Sequence, residues 1–298
     1  MFFLRTLRIG TRASKLALWQ ANFVATKLKE LGFKTEIVPI KTEGDRIKKP
    51  LYQFGGKGLF IKEIEKALLD KRIDIAVHSL KDMSVFEDEA FDFVVLERDY
   101  HQDTFVSFKG NLLELEKPTI GTTSLRRRAE ILRIKPDAEF VDLRGNLDTR
   151  LNKLENGEVD GIVVSKSGLM RLGLYDETFM YDLEVITPAA GQGVIAVEFL
   201  SDFEFKDQIK TLEDEKTRLC IDAERTFVRE LNASCNYPIG AYAYFENEEF
   251  CMRVMYGFVD NLNKVIRYSK CNRSMLFVVA DVIEYVKKKV KDYESGNK

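Results

Sequence analysis

The sequence predicts an α/β protein made of two similar α/β domains followed by a small C-terminal α+β domain. Three observations predict it. The chain has 298 residues, about twice a typical domain length. Short β-like runs alternate with segments of helical period over 7–96, and again over 119–199. Beyond about residue 212 the texture changes to successive β runs and one amphipathic helix. Hydrophobic residues at 45% and charged residues at 32% suit a chain that buries a core rather than a disordered one.

In the first unit, residues 7–9 read as a strand. Leu16, Phe23, Val24, Leu28 and Leu31 follow at helical spacing, and 35–40 form a second strand, a βαβ pattern. The stretch 47–58, with Lys48, Lys49, Pro50 and three glycines, reads as a long loop. An amphipathic helix over 61–71 turns Ile61, Ile64 and Leu68 inward. Strands at 73–77 and 91–96 complete the unit. The second unit has strands at 119–121, 139–142 and 161–164 and helices over 124–134 and 146–154. The small residues 188–193 then connect to a strand at 194–199 that returns to the first sheet. A charged helix over 211–231 precedes β runs at 241–245, 250–259 and 265–269. The last helix carries Met275, Val279, Val282, Val286 and Val290 on one face. The expected domains are 1–96 with 191–212, then 97–190, then 213–298.

Lys+Arg total 46 against Asp+Glu 48, a formal charge of −2, so nothing in the global balance favours nucleic acid or an anionic membrane as a partner. The four cysteines, Cys220, Cys235, Cys251 and Cys271, contain no C-x-x-C pair, and His78 and His101 lie far from them in sequence. No metal site of zinc or iron–sulfur spacing is indicated. Charge interrupts the apolar N-terminus after four residues, and no uncharged apolar run approaches the roughly 18 residues of a membrane span. These features predict a cytoplasmic protein with reduced thiols.

Ligands of α/β sheets gather at the carboxyl ends of strands. Four predicted ends carry polar groups: 10–14, 78–82, 121–128 and 143–146. Ser14, Thr123, Ser124 and Asn146 sit where helices begin, beside Arg12, Arg126, Arg127, Arg144 and Arg150, an arrangement suited to carboxylate or phosphate. No phosphate loop or dinucleotide motif occurs, and the preference for arginine over lysine fits a polycarboxylate through bidentate pairing. Asp82 stands out among these cations. It either faces a positively charged intermediate or forms an ordinary ion pair with Lys81 or an arginine. His78, at the end of an apolar strand, reads as a hydrogen-bonded structural histidine. Cys235 lies between a helix end and a turn, which makes it the best placed nucleophile of the four thiols.

Taken together, 10–20, 55–60, 74–82, 121–127, 143–146 with 149–151, and Cys235 with Pro238-Ile239-Gly240 resemble porphobilinogen deaminase, also called hydroxymethylbilane synthase, along nearly the whole chain. The resemblance implies a transferase of tetrapyrrole (heme) biosynthesis. Such an enzyme joins four porphobilinogen units head to tail with loss of ammonia on a covalent dipyrromethane primer and releases the linear tetrapyrrole hydroxymethylbilane. It also implies two periplasmic-binding-protein-like domains and a monomeric, cytoplasmic enzyme.

Carried over residue by residue, the cofactor thioether falls on Cys235, and Asp82 stabilises the azafulvenium-like cation as the catalytic residue. Lys81, Ser79, Thr123, Ser124, Arg126, Arg127, Arg144 and Gly145 bind the cofactor. Arg12, Ser14, Lys57, Phe60, Arg150, Arg171 and Gln192 bind substrate. The chain departs from the family pattern at Ser84, where proline is usual. It departs again at Ala233-Ser234, where two glycines precede the cofactor cysteine, and at Ser165-Lys166-Ser167. The rival reading is a binding module, a periplasmic-type solute receptor or the effector domain of a transcription regulator, which would need no Cys235.

Overall fold

The computed structural model describes residues 5–46, 61–86, 88–233 and 237–296. The first sheet begins with β1 (Thr6–Arg12), α1 (Lys15–Glu30) and β2 (Lys34–Ile40), followed by α2 (Glu43–Arg46), α3 (Lys62–Leu69), β3 (Ile75–Ser79) and β4 (Phe91–Val95). The second contains β5 (Asp103–Val106), β6 (Thr119–Gly121), α4 (Leu125–Ile134), β7 (Glu139–Val141), α5 (Leu147–Glu155), β8 (Gly161–Ser165), α6 (Lys166–Arg171) and β9 (Met180–Asp182). The chain then returns through β10 (Ile195–Leu200) and α7 (Lys206–Lys210). It ends in α8 (Glu215–Glu230), β11 (Ile239–Glu246), β12 (Glu249–Phe258), β13 (Asn261–Asn272) and α9 (Met275–Gly296). The fold class is the one the sequence predicts. Among the described residues no helix is long and apolar enough to cross a membrane.

The two α/β sheets share one plan. Their strand orders are β2-β1-β3-β10-β4 and β7-β6-β8-β5-β9. In each, the fourth strand runs antiparallel to both neighbours and is the first strand after the chain has crossed from the other sheet. The crossovers, 96–102 and 183–194, touch. At Gly193 φ is +87°, and an added Cβ would lie 2.6 Å from the Tyr100 carbonyl, so only glycine allows this approach. Gly193→Ala is therefore expected to cost about 1–3 kcal/mol, seen as a lower melting temperature in calorimetry.

Apolar periodicity explains the cores. Ala21, Val24, Ala25 and Leu28 on α1 pack against Leu7, Ile9, Ile75 and Val197 of the first sheet. Phe227 on α8 joins Val254 and the α9 residues Val278, Val282 and Val286 over the third sheet, β11-β12-β13. Glu224 on α8, fully buried, is the hub of all three units. Its carboxylate accepts from Arg98 Nη2 (2.8 Å), Ala243 N (2.8 Å) and Gly191 N (2.8 Å), one donor from each crossover and one from β11.

Several expectations need correction. The helix predicted over 211–231 begins only at Glu215, because Asp214 caps α8 by accepting from Thr217 N (2.8 Å). β5 and β9 were not predicted at all: β5 opens with two polar residues, Asp103 and Thr104, that are nonetheless buried. Thiol chemistry also differs from the prediction of reduced cysteines. Antiparallel pairing puts Cys251 opposite Cys271, Cα to Cα 4.1 Å, and the two form a disulfide. Strand periodicity predicts the strands but not the register that brings these thiols together.

Candidate active site

β1, β3, β6, β7 and β8 all end at one cavity of about 850 Å³ between the two α/β sheets, with α8 and the start of β11 closing its side. The ends are held open by short caps. Ser14 accepts from Ala17 N (3.3 Å) and Ser124 from Arg127 N (3.4 Å), so each hydroxyl satisfies an amide that its helix leaves unpaired. Gly145 has φ +119°, and a Cβ there would meet Thr149 at 2.7 Å. That turn brings Arg144 and Arg150 to the same wall, with Arg150 Nε donating to the Gly145 carbonyl (2.9 Å).

The structure brings most predicted residues together. Arg12, Ser14, Lys81, Asp82, Thr123, Ser124, Arg126, Arg127, Arg144, Gly145, Arg150 and Gln192 line the cavity. Ser79 lies on a small annex that shares Arg12, Ser14, Lys81 and Asp82 with it, and its hydroxyl pairs with Gln20 (2.9 Å). Arg171 is not on the wall. It donates to the Gly193 carbonyl (2.7 Å), lies 3.4 Å from Asp99 and sits over the Trp19 ring, bridging both crossovers and α1. Lys57, Phe60 and Cys235 lie outside the described residues. Ala233 and Tyr237, the nearest described residues on either side of Cys235, both line the cavity.

The charge pattern is lopsided. Among the described residues the carboxylates lining the cavity are Asp82 and Asp148, and Asp148 is paired with Lys15 (3.2 Å). Asp82 makes no hydrogen bond or ion pair there, although Lys81 and Arg150 lie close enough to feel its charge. Burial, reinforced by Arg127, pushes the Lys81 ammonium down to about 8, with Asp82 opposing the shift. Burial, with Arg127 and Arg144, likewise lowers Arg150 to about 10. Such a wall stabilises several carboxylates at once and still presents one anion to a cation.

The carboxylate behind the wall carries no motif in the sequence. Asp103, 1% exposed, accepts from Arg127 Nε (3.1 Å) and Nη2 (2.7 Å) and pairs with Arg126 Nη1 (2.7 Å). Arg127, expected to grip a ligand with its fork, thus turns that fork on Asp103. Gln192 likewise points its amide inward, to the His101 carbonyl (2.8 Å) and Asp103 (3.0 Å). The only local signal is an acid heading the short β-like run Thr104-Phe105-Val106. His78 is structural as expected, with Nε2 2.9 Å from the buried Glu198 carboxylate. Of the other thiols, Cys220 is buried and pushed up to about 12 by that burial.

A family model described as the dipyromethane cofactor binding domain of porphobilinogen deaminase matches residues 7–207, and one for the C-terminal domain matches 218–288. Porphobilinogen deaminase from Helicobacter hepaticus is 43% identical over 263 residues, covering 86% of this chain and 82% of that protein. The enzyme from Oceanobacillus iheyensis is 42% identical over 264 residues, with 85% of each covered. A probable porphobilinogen deaminase from Methanocaldococcus jannaschii is 44% identical over 258 residues, covering 86% of this chain and 88% of that one.

Proposed function

Because this chain belongs to the porphobilinogen deaminase family, which makes hydroxymethylbilane on a dipyrromethane cofactor, we propose that the cavity between its two α/β sheets holds the cofactor and the substrate. The donor set carries this reading: among the described residues, arginines and lysines from both sheets surround a single unpaired carboxylate, Asp82, as a ligand with several carboxylates and pyrrole N–H groups requires. When bound, the dipyrromethane supplies the pyrrole carbon to which the first porphobilinogen is joined.

The chain's own residues then do three things. Arg12, Lys81, Arg126, Arg144 and Arg150 hold acetate and propionate groups, while Ser14, Ser79, Thr123 and Ser124 add polar contacts beside them. The Asp82 carboxylate accepts from pyrrole N–H and opposes the positive charge that grows on the ring as the C–N bond breaks and ammonia departs. Cys235 bears the thioether; Ala233 and Tyr237 on the cavity wall support this assignment, as does the poor availability of the other thiols. Lys57 and Phe60 contact substrate from the 47–60 segment. Arg171 and Gln192, engaged within the protein, act on substrate indirectly.

We further propose that the protein works as a cytoplasmic monomer with domains 1–96 plus 191–212, 97–190 and 213–298. The test is to incubate the purified protein with porphobilinogen and follow hydroxymethylbilane, with intact mass for the covalent dipyrrole. A protein without adduct or product would instead be a solute-binding module. Within the cavity, Arg144→Lys and Arg150→Lys should each lower kcat/KM by about tenfold, because one ammonium replaces a two-point grip. Wild-type kinetics in both would move the carboxylate sites elsewhere.

A further inference from the structure

Asp103 does not line the cavity, yet side chains from α4 and from the return crossover converge on it. Arg126 and Arg127 reach it from α4, and Gln192 reaches it from the return crossover at 3.0 Å. The other end of the Gln192 amide accepts from Lys81 Nζ (3.4 Å), which belongs to the turn after β3 in the first sheet. Neighbouring arginines repel, and a buried carboxylate stripped of them would be costly. One anion therefore fixes two cations directly and a third through an amide. Although burial opposes its charge, Arg126 and Arg127 hold Asp103 far below the usual carboxylate range, so it is ionised throughout the working pH range.

We propose that Asp103 is a positioning residue for turnover, a buried carboxylate that touches no ligand but orients Arg126 and Arg127 and, through Gln192, places the Lys81 ammonium at the cavity wall. This rests on the assignment of substrate to that cavity. The groups that face Lys81 are Asp82 on its own turn, Arg126 and Arg127 from α4, and Asp103 from β5. Asp82 and Asp103 sustain its charge and the two arginines oppose it. Loss of the Asp103 charge should make Lys81 give up its proton at lower pH and so weaken carboxylate binding earlier on the alkaline side.

The experiment compares wild-type holoenzyme with Asp103→Asn and with Gln192→Met, which cuts the link to Lys81 but leaves the arginines paired. Two quantities are read: the alkaline limb of kcat/KM against pH, and the pH midpoint of Lys81 acetylation by peptide mass spectrometry. In Asp103→Asn both should move to lower pH by about one unit. In Gln192→Met they should move the same way by less. Should Asp103→Asn fail to fold, Gln192→Met decides alone. Folded variants that keep the wild-type limb and midpoint would overturn the proposal. The acetylation midpoint needs no turnover, so it separates this outcome from a wrong substrate assignment.

Discussion

Asp82→Asn should lower the rate of hydroxymethylbilane formation by on the order of 10²-fold or more. The carboxylate stands on a wall of cations with no partner of its own among the described residues, and Lys81 and Arg150 sense its charge. Neutralising it leaves those cations facing a ring that is itself turning positive, so the transition state loses its counter-charge and gains repulsion. Asp82→Glu keeps the charge and shifts it, and should lose less. Because Asp82 makes no hydrogen bond or ion pair among the described residues, folding should change by less than about 0.5 kcal/mol. Purified, cofactor-loaded Asp82→Asn with a native circular dichroism spectrum and near wild-type turnover would reduce Asp82 to a surface charge.

Cys235→Ser should abolish both the covalent dipyrrole and activity. The alternatives are poor nucleophiles: Cys220 is a buried thiol pushed up to about 12, and the nucleophile in thioether chemistry is the thiolate. Cys251 and Cys271 are bonded to each other. Intact mass reads the loss directly, and peptide mapping of the wild type should place the adduct on the peptide that contains Cys235. An adduct found on Cys220, Cys251 or Cys271 would redirect the assignment.

The cationic wall was legible because its parts are local. Each strand end followed by a polar cap and an arginine can be read within a few residues, and sheet topology alone brings such ends together. Asp82 was legible as the exception among cations. What could not be read was which arginine faces inward. Arg126 and Arg127 are adjacent in sequence with the same charge, and only the tertiary approach of Asp103 at the head of β5 shows that both pair with a buried acid. The inward contacts of Gln192, which also lines the cavity, and of Arg171 could not be read for the same reason: His101, Asp99 and Gly193 sit on crossovers that have no periodic pattern. The disulfide depended on register between two strands whose existence, but not alignment, the hydrophobic pattern predicts.

The exchange of strands between the sheets has a consequence for biosynthesis. Strands β5 to β9, residues 103–182, are contiguous, so the second sheet can close as soon as it leaves the ribosome. In the first sheet β4 pairs, among the described residues, only with β10, and β10 begins at Ile195, after the whole second sheet. At translation rates of about 5–20 residues per second, the apolar strand Phe91–Val95 waits about 5–20 seconds for its partner. The nascent chain should therefore expose that edge to chaperones, and the second sheet should gain protection from proteolysis before the first.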